Sequence, residues 1–239
     1  MKRILTISFI LCLFGAIGGY FIAQDTNFSN TLDLPNKKTL ILILTIQAGI
    51  LTFLFSIIGM ALQKKTPFEM MHKGKKRRGT FLSILLGLLT GFSIQASDVW
   101  IFPHLLPELE MHTPAPSVEG LLGGVFYGGI VEEVMLRLFG MTLIIFLVLK
   151  FRKSNNLPAI YYWGAIVVTS VIFAIAHLPA NEVLFGELNP IIVIRALILN
   201  GLGGMFFGYL YWKYGFWFSV LSHMTAHIGM QLIFIPLLF

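Results

Sequence analysis

The sequence predicts an all-α, polytopic membrane protein of about seven transmembrane helices, with an active-site cavity inside the helical bundle. Three observations carry this expectation. The 239 residues are 56% hydrophobic and 12% charged, with a mean hydropathy of +0.83, which is too apolar for a soluble globular domain. The apolar residues are gathered in runs long enough to cross a bilayer. Between the runs, basic and acidic stretches alternate, as membrane topology requires.

Met1-Lys2-Arg3 and the run from Ile4 to Ala23 open like a signal peptide, but the run is about 20 residues long and Phe21-Ile22-Ala23 is a poor cleavage site, so it reads as a retained span. A polar loop with Asp25, Asp33, Pro35, Lys37 and Lys38 leads to a second span, Thr39 to Leu62, whose polar residues Thr45, Gln47, Thr52 and Ser56 are uncharged. From Gln63 to Gly79 come Lys64, Lys65, Lys73, Lys75, Lys76, Arg77 and Arg78, the density of a cytoplasmic loop and one suited to touching anionic lipid. A third span, Thr80 to Ser97, precedes a loop with Asp98, Glu108, Glu110, Glu119 and Pro103, Pro107, Pro114 and Pro116, without Lys or Arg, which belongs outside. Trp100, Ile101 and Phe102 fit the membrane interface, and His104 and His112 read as solvated residues rather than ligands.

The fourth helix, Ser117 to Phe151, ends at Lys150, Arg152 and Lys153, back on the basic side. The fifth, Ala159 to Leu178, is followed by an outside loop with Pro179, Glu182, Glu187 and Pro190. The sixth, Ile191 to Trp212, holds Arg195, Asn200 and Gly201, Gly204 and Gly208, the last two at a spacing that permits close helix contact. Lys213 among aromatic residues marks the inner interface, and the last span runs from Phe216 to the C-terminus. This order places the N-terminus in the cytoplasm and the C-terminus outside the cell membrane. Residues 1–117 form three N-terminal spans, and residues 118–239 form a four-helix catalytic core within one membrane domain. The net charge of +6 comes from the inner loops, so the predicted partner is membrane lipid and not nucleic acid. A single cysteine, Cys12, excludes an intramolecular disulfide and a cysteine-based metal cluster. Abundant Ile, Lys, Phe and Asn suggest a low-GC bacterial source.

Function is concentrated in Gly128-Gly129-Ile130-Val131-Glu132-Glu133-Val134-Met135-Leu136-Arg137, where three ionisable side chains interrupt an apolar run. Each costs at least about 2.5–3.5 kcal/mol at a bilayer centre, so such residues face an interior site rather than lipid. Glu133 and Arg137, four apart with the acid first, form a favourable ion pair. Glu132 points about 100° away on a regular helix and requires another partner. A carboxyl there, withdrawn from water, is placed to take a proton and later return it. His177 ends the fifth span, and His223 and His227 share one face of the last. At about 1.5 Å per residue, Glu132 stands roughly 27 Å from Lys150, and His223 and His227 roughly 15 and 21 Å from Lys213, so these groups can meet in one cavity.

With no available cysteine and no Gly-x-Ser-x-Gly element, hydrolysis by an activated water suits this set best. Glu132, His177, His223 and His227 are also a workable zinc set, and residue types alone do not separate the metal-free and zinc schemes. A membrane immunity or scaffold protein that cleaves nothing, and a proton-coupled transporter, are the rival classes. Against the transporter, the chain has no repeated halves.

Glu132-Glu133-x-x-x-Arg137, Phe173-x-x-x-His177 and a final histidine-bearing helix, in this order across spans, resemble the CPBP family of intramembrane proteases. That family includes the prenyl endopeptidase of CaaX proteins and bacterial members of the Abi group linked to bacteriocin immunity and peptide maturation. The resemblance covers Val118 to His227 and implies that Glu132 with His177 activates the water while His223 and the residue four later form an oxyanion site. Phe173 joins Glu133 and Arg137 as a supporting residue, no metal is favoured although His227 strengthens the zinc alternative, and the resemblance implies a membrane-associated protein or peptide substrate. His227 departs from the pattern, since Asn or Asp is usual there; an imidazole still donates a hydrogen bond.

Overall fold

A computed structural model describes residues 1–25, 37–107, 109, 114–153 and 156–239; the expectations for Asp33, Pro35, Glu108, Glu110 and His112 lie outside the described residues. Among the described residues every regular element is helical, and seven helices are long and apolar enough to cross a membrane. The protein is a multi-pass membrane protein. Its elements are α1 (Lys2–Gln24), α2 (Lys37–Gln63), α3 (Lys76–Trp100), α4 (Val118–Arg152), α5 (Ala159–Ala176), α6 (Leu178–Phe185), α7 (Pro190–Tyr214) and α8 (Phe216–Leu238).

Side chains sort by size rather than by polarity. On α2 the large residues Leu42, Ile43, Ile46, Ile50 and Leu54 point outward, each at least half exposed, while Ala48, Thr52, Ser56 and Gly59 face the bundle. Lipid is as apolar as leucine, so helices associate through small residues that let backbones approach. Gly18 of α1 shows this: a Cβ there would lie 2.5 Å from the backbone nitrogen of Tyr127 on α4. Thr52 returns its hydroxyl to the Ala48 carbonyl at 2.6 Å, so even this buried polar group is satisfied within its own helix.

Three local expectations are corrected. Helix α3 begins at Lys76, inside the basic stretch and earlier than Thr80, because its basic first turn projects to the surface and nothing there breaks a helix. The segment after the fifth span is not a loop throughout: α5 stops at Ala176, and α6 follows from Leu178 to Phe185. Pro179 accounts for both, since it lacks the N–H needed to prolong α5 but suits the first turn of a new helix, which Gly186 at φ 82 then ends. Helix α4 is not regular. It widens to π-type turns over Gly124–Glu132 and Val134–Met141, and Thr142 reaches back five residues to the Arg137 carbonyl at 3.2 Å.

The end that carries the basic stretches is firmly closed. Gly215, at φ 112, turns α7 into α8. The N–H groups of Phe216 and Trp217 then donate to the carbonyls of Glu69 and Met70 at 3.0 and 3.1 Å, so the basic loop caps α8. Behind this cap Leu138, Met141, Ile145, Ile166, Tyr211 and Phe216 are fully buried in one cluster.

Candidate active site

Three helices that touch α4 along different parts of its length position the site. Helix α8 packs against the Gly124–Glu132 part, whereas α5 and α7 pack against Val134–Met141 and make no comparable packing on the Gly124–Glu132 part. The glutamates lie where these contacts change over.

Glu133 and Arg137 are both fully buried, with Oε1 3.1 Å from one guanidinium nitrogen. The other terminal nitrogen of Arg137 donates to the Gly204 carbonyl at 3.0 Å. The guanidinium lies against two rings, 5.1 Å from the centre of Phe173 and 5.5 Å from that of Phe207, which offer it their negative faces. The expected ion pair is therefore present, held by an acid, a carbonyl and two aromatic residues.

Glu132 and Glu133 do not diverge to separate partners as a regular helix predicts. Both meet His223, Glu133 Oε1 at Nδ1 (2.9 Å) and Glu132 Oε2 near Nε2 (3.7 Å). The His223 ring is stacked on Phe207 on one side and on His227 on the other, with centres 4.5 and 5.1 Å apart. Four of its directions are thus occupied by named groups. Glu132 differs from its neighbour in access, its side chain being 20% exposed where that of Glu133 is wholly buried.

His177 terminates α5, and its Nδ1 lies 2.8 Å from the Phe173 carbonyl. A carbonyl only accepts, so Nδ1 carries the proton and Nε2 of the neutral ring holds a lone pair. A cavity of about 200 Å³ brings His177, His223 and His227 together with Phe173, Phe207 and Asn200. A larger hollow of about 650 Å³ at the basic end, among Arg3, His72, Lys76 and Trp217, holds none of the candidate residues.

All seven residues expected at the site, Glu132, Glu133, Arg137, Phe173, His177, His223 and His227, fall in this one region. Within it Glu132 approaches His223, whereas His177 faces the cavity from α5. Among the described residues no three His, Cys, Asp or Glu are grouped so as to hold a metal ion. His104 is exposed, as expected. Phe207, the Gly204 carbonyl and Gly128 are participants that the sequence does not announce, since an aromatic ring or a glycine in an apolar helix carries no chemical label. A second cluster was legible in principle: Arg195 on α7, a lone cation in a span, pairs in bidentate fashion with Asp98 of α3 and donates to Asn181 of α6 at 3.3 Å. Asn181 in turn donates to the His177 carbonyl at 2.8 Å.

Residues 114–229 match the model of the Type II CAAX prenyl endopeptidase Rce1-like family. Over this stretch, just under half of the chain, the protein is similar to the CAAX-protease family. The matched segment contains every candidate residue named above and leaves α1 to α3 outside it. No curated protein and no solved structure gives a match. This similarity supports a CAAX-protease-like intramembrane endopeptidase as the class of activity.

Proposed function

We infer that the protein hydrolyses a peptide bond of a membrane-associated protein or peptide with water activated by Glu132. The observation that carries this reading is the single imidazole, His223, set between two glutamates beside a cavity that two further histidines line. A separation of 3.7 Å is long for a direct hydrogen bond, and a water beside the Glu132–His223 pair can bond to both. Glu132 takes a proton from that water, His177 Nε2 offers a second acceptor, and the hydroxide adds to the scissile carbonyl. The N–H of His227 faces the oxyanion that forms, and Glu132 returns the proton to the departing amine. Glu133 and Arg137 fix His223 and do not touch the substrate.

A purely structural clamp explains Glu133 and Arg137 but gives Glu132 and His177 no task. It is also poorly built for stability alone. Among the described residues, Glu133 Oε2 and Arg137 Nε are buried without a hydrogen-bond partner, and each such atom costs about 1–3 kcal/mol.

The test is cleavage of a quenched peptide library by purified wild type and Glu132→Gln, with and without chelator, alongside elemental analysis for zinc. Wild type is expected to cleave with chelator present, and Glu132→Gln to lose about 10²-fold or more. Stoichiometric zinc with chelator-sensitive cleavage would move Glu132 and the histidines into ligand roles. Equal cleavage by the two proteins would remove Glu132 from the chemistry. In cells, protection against a bacteriocin that survives Glu132→Gln would indicate a non-cleaving immunity or scaffold role.

A further inference from the structure

We propose that the peptide reaches the site from the end opposite the basic loops, through the cavity framed by α3, α5, α7 and α8, and that this end is the outer face of the membrane. The substrate is then an exported or outer-leaflet segment, not a cytoplasmic C-terminus. This rests on the reading of the site as a peptidase, and it adds which side supplies the substrate.

The two ends of the site are built differently. Toward the basic end the way is blocked by fully buried Leu138, Met141, Ile166, Tyr211 and Phe216. Tyr211 is locked there by hydrogen bonds to Thr142 (2.6 Å) and Gln63 (3.0 Å), and beyond it the Glu69 and Met70 carbonyls cap α8. Interiors packed at this density do not open without displacing whole side chains.

Toward the other end a cavity opens between α3, α5, α7 and α8, lined by Ile94, His177, Asn200, His227 and Met230, and forms a wedge beside His223. Exposure follows the wedge: Phe173, Phe207 and His223 at its apex are buried, whereas His177, His227, Asn200, Ile94 and Met230 are partly exposed. The walls are mostly apolar. At about 200 Å³ the cavity is smaller than the roughly 300–1,000 Å³ typical of small-molecule pockets, and it suits one apolar side chain of an extended segment with its scissile amide.

Orientation comes from charge. The stretch from Lys64 to Arg78, the group Lys150, Arg152 and Lys153, and Lys213 all lie at the closed end. Loops of this kind stay in the cytoplasm, which turns the wedge outward.

Single-cysteine variants on a Cys12→Ser background, treated with a membrane-impermeant maleimide, test this in intact and permeabilised cells. Asn200→Cys and Met230→Cys report the wedge, exposed Glu187→Cys the open end and exposed Lys64→Cys the closed end. The expected result is that Asn200→Cys, Met230→Cys and Glu187→Cys react in intact cells and Lys64→Cys only after permeabilisation. Reaction of both wedge cysteines only after permeabilisation, or in neither condition, overturns the proposal. In parallel, right-side-out vesicles should cleave an added impermeant peptide library at least tenfold faster than inside-out vesicles; the reverse order also overturns it. If neither vesicle cleaves while the cysteine variants label as expected, the peptidase reading fails and the labelling pattern alone settles the side of access.

Discussion

The Glu133–Arg137 pair offers a test whose magnitude can be worked from its surroundings. Arg137 has no exposure, and beyond Glu133 it has one carbonyl, that of Gly204, and two aromatic faces. Glu133→Gln keeps the shape and an acceptor but removes the carboxylate charge 3.1 Å from the guanidinium. Breaking a buried pair from one side costs about 3–5 kcal/mol, because the remaining charge is left uncompensated. For a chain of this size that is a fall of roughly 6–20 °C in Tm. Arg137→Met removes the buried cation with its aliphatic bulk largely retained, and in this variant Glu133 still meets His223 Nδ1 at 2.9 Å, so the loss should be smaller. In the double variant neither charge is stranded, and well-packed apolar replacement of a buried pair is often neutral. The two single losses should therefore exceed the loss in the double variant by about 2 kcal/mol or more, read from thermal unfolding in detergent. Additivity within about 0.5 kcal/mol would show that the two side chains act independently and would refute the coupling argued here.

Further outcomes follow from neighbouring contacts. Tyr211→Phe removes the hydroxyl that accepts from the Gln63 amide and leaves Thr142 only its bond to the Arg137 carbonyl, which should cost about 1–3 kcal/mol in the same unfolding assay, with cleavage per folded molecule retained. Gly128→Ala would set a Cβ 2.6 Å from His227 Nε2 and 3.0 Å from His223 Nε2; the rings must shift, and turnover should fall by about 10²-fold while Tm changes little. If His227 serves through its N–H, His227→Asn should keep most of the cleavage and His227→Ala should lose about 10²–10³-fold; equal losses would deny the donor role.

The spans were legible because a bilayer imposes both a length and a charge order, and each apolar run between charged stretches became a helix. The site was legible for the same reason: Glu132, Glu133 and Arg137 stand out only because their run is otherwise apolar. Spacing rules carried less far. The i, i+4 pair survived the wide turns of α4, yet the expected separation of the two glutamates did not, since one imidazole arriving from α8 is broad enough to meet both. Phe207 was hidden because stacking uses a residue type that lipid-facing helices also use, and its role is set by a partner 16 residues further on, His223. Asp98 was read as a loop acid because nothing in its own neighbourhood points to Arg195, which lies 97 residues away in the chain.

The glycines of α4 and the histidines of α8 are best understood as one interlocking unit. His223 and His227 are four apart and stack in parallel, within 16°, so together they form a stacked block too wide to pass a helix bearing side chains. Gly124 and Gly128 are also four apart, and they are what this block meets: a Cβ on Gly124 would clash with the His227 ring, and one on Gly128 would crowd both rings. The chain directions are opposed, the later glycine meeting the earlier histidine, so the next turn of α4 brings Glu132 and Glu133 onto His223. Wide turns over Gly124–Glu132 alter the rotation per residue in this same stretch, which lets two consecutive glutamates share one ring where a regular helix would separate them by about 100°. The carboxylates thus reach the imidazole because the two residues a turn and two turns before them have no side chain, and placement of the reactive groups depends on backbone approach as much as on the groups themselves.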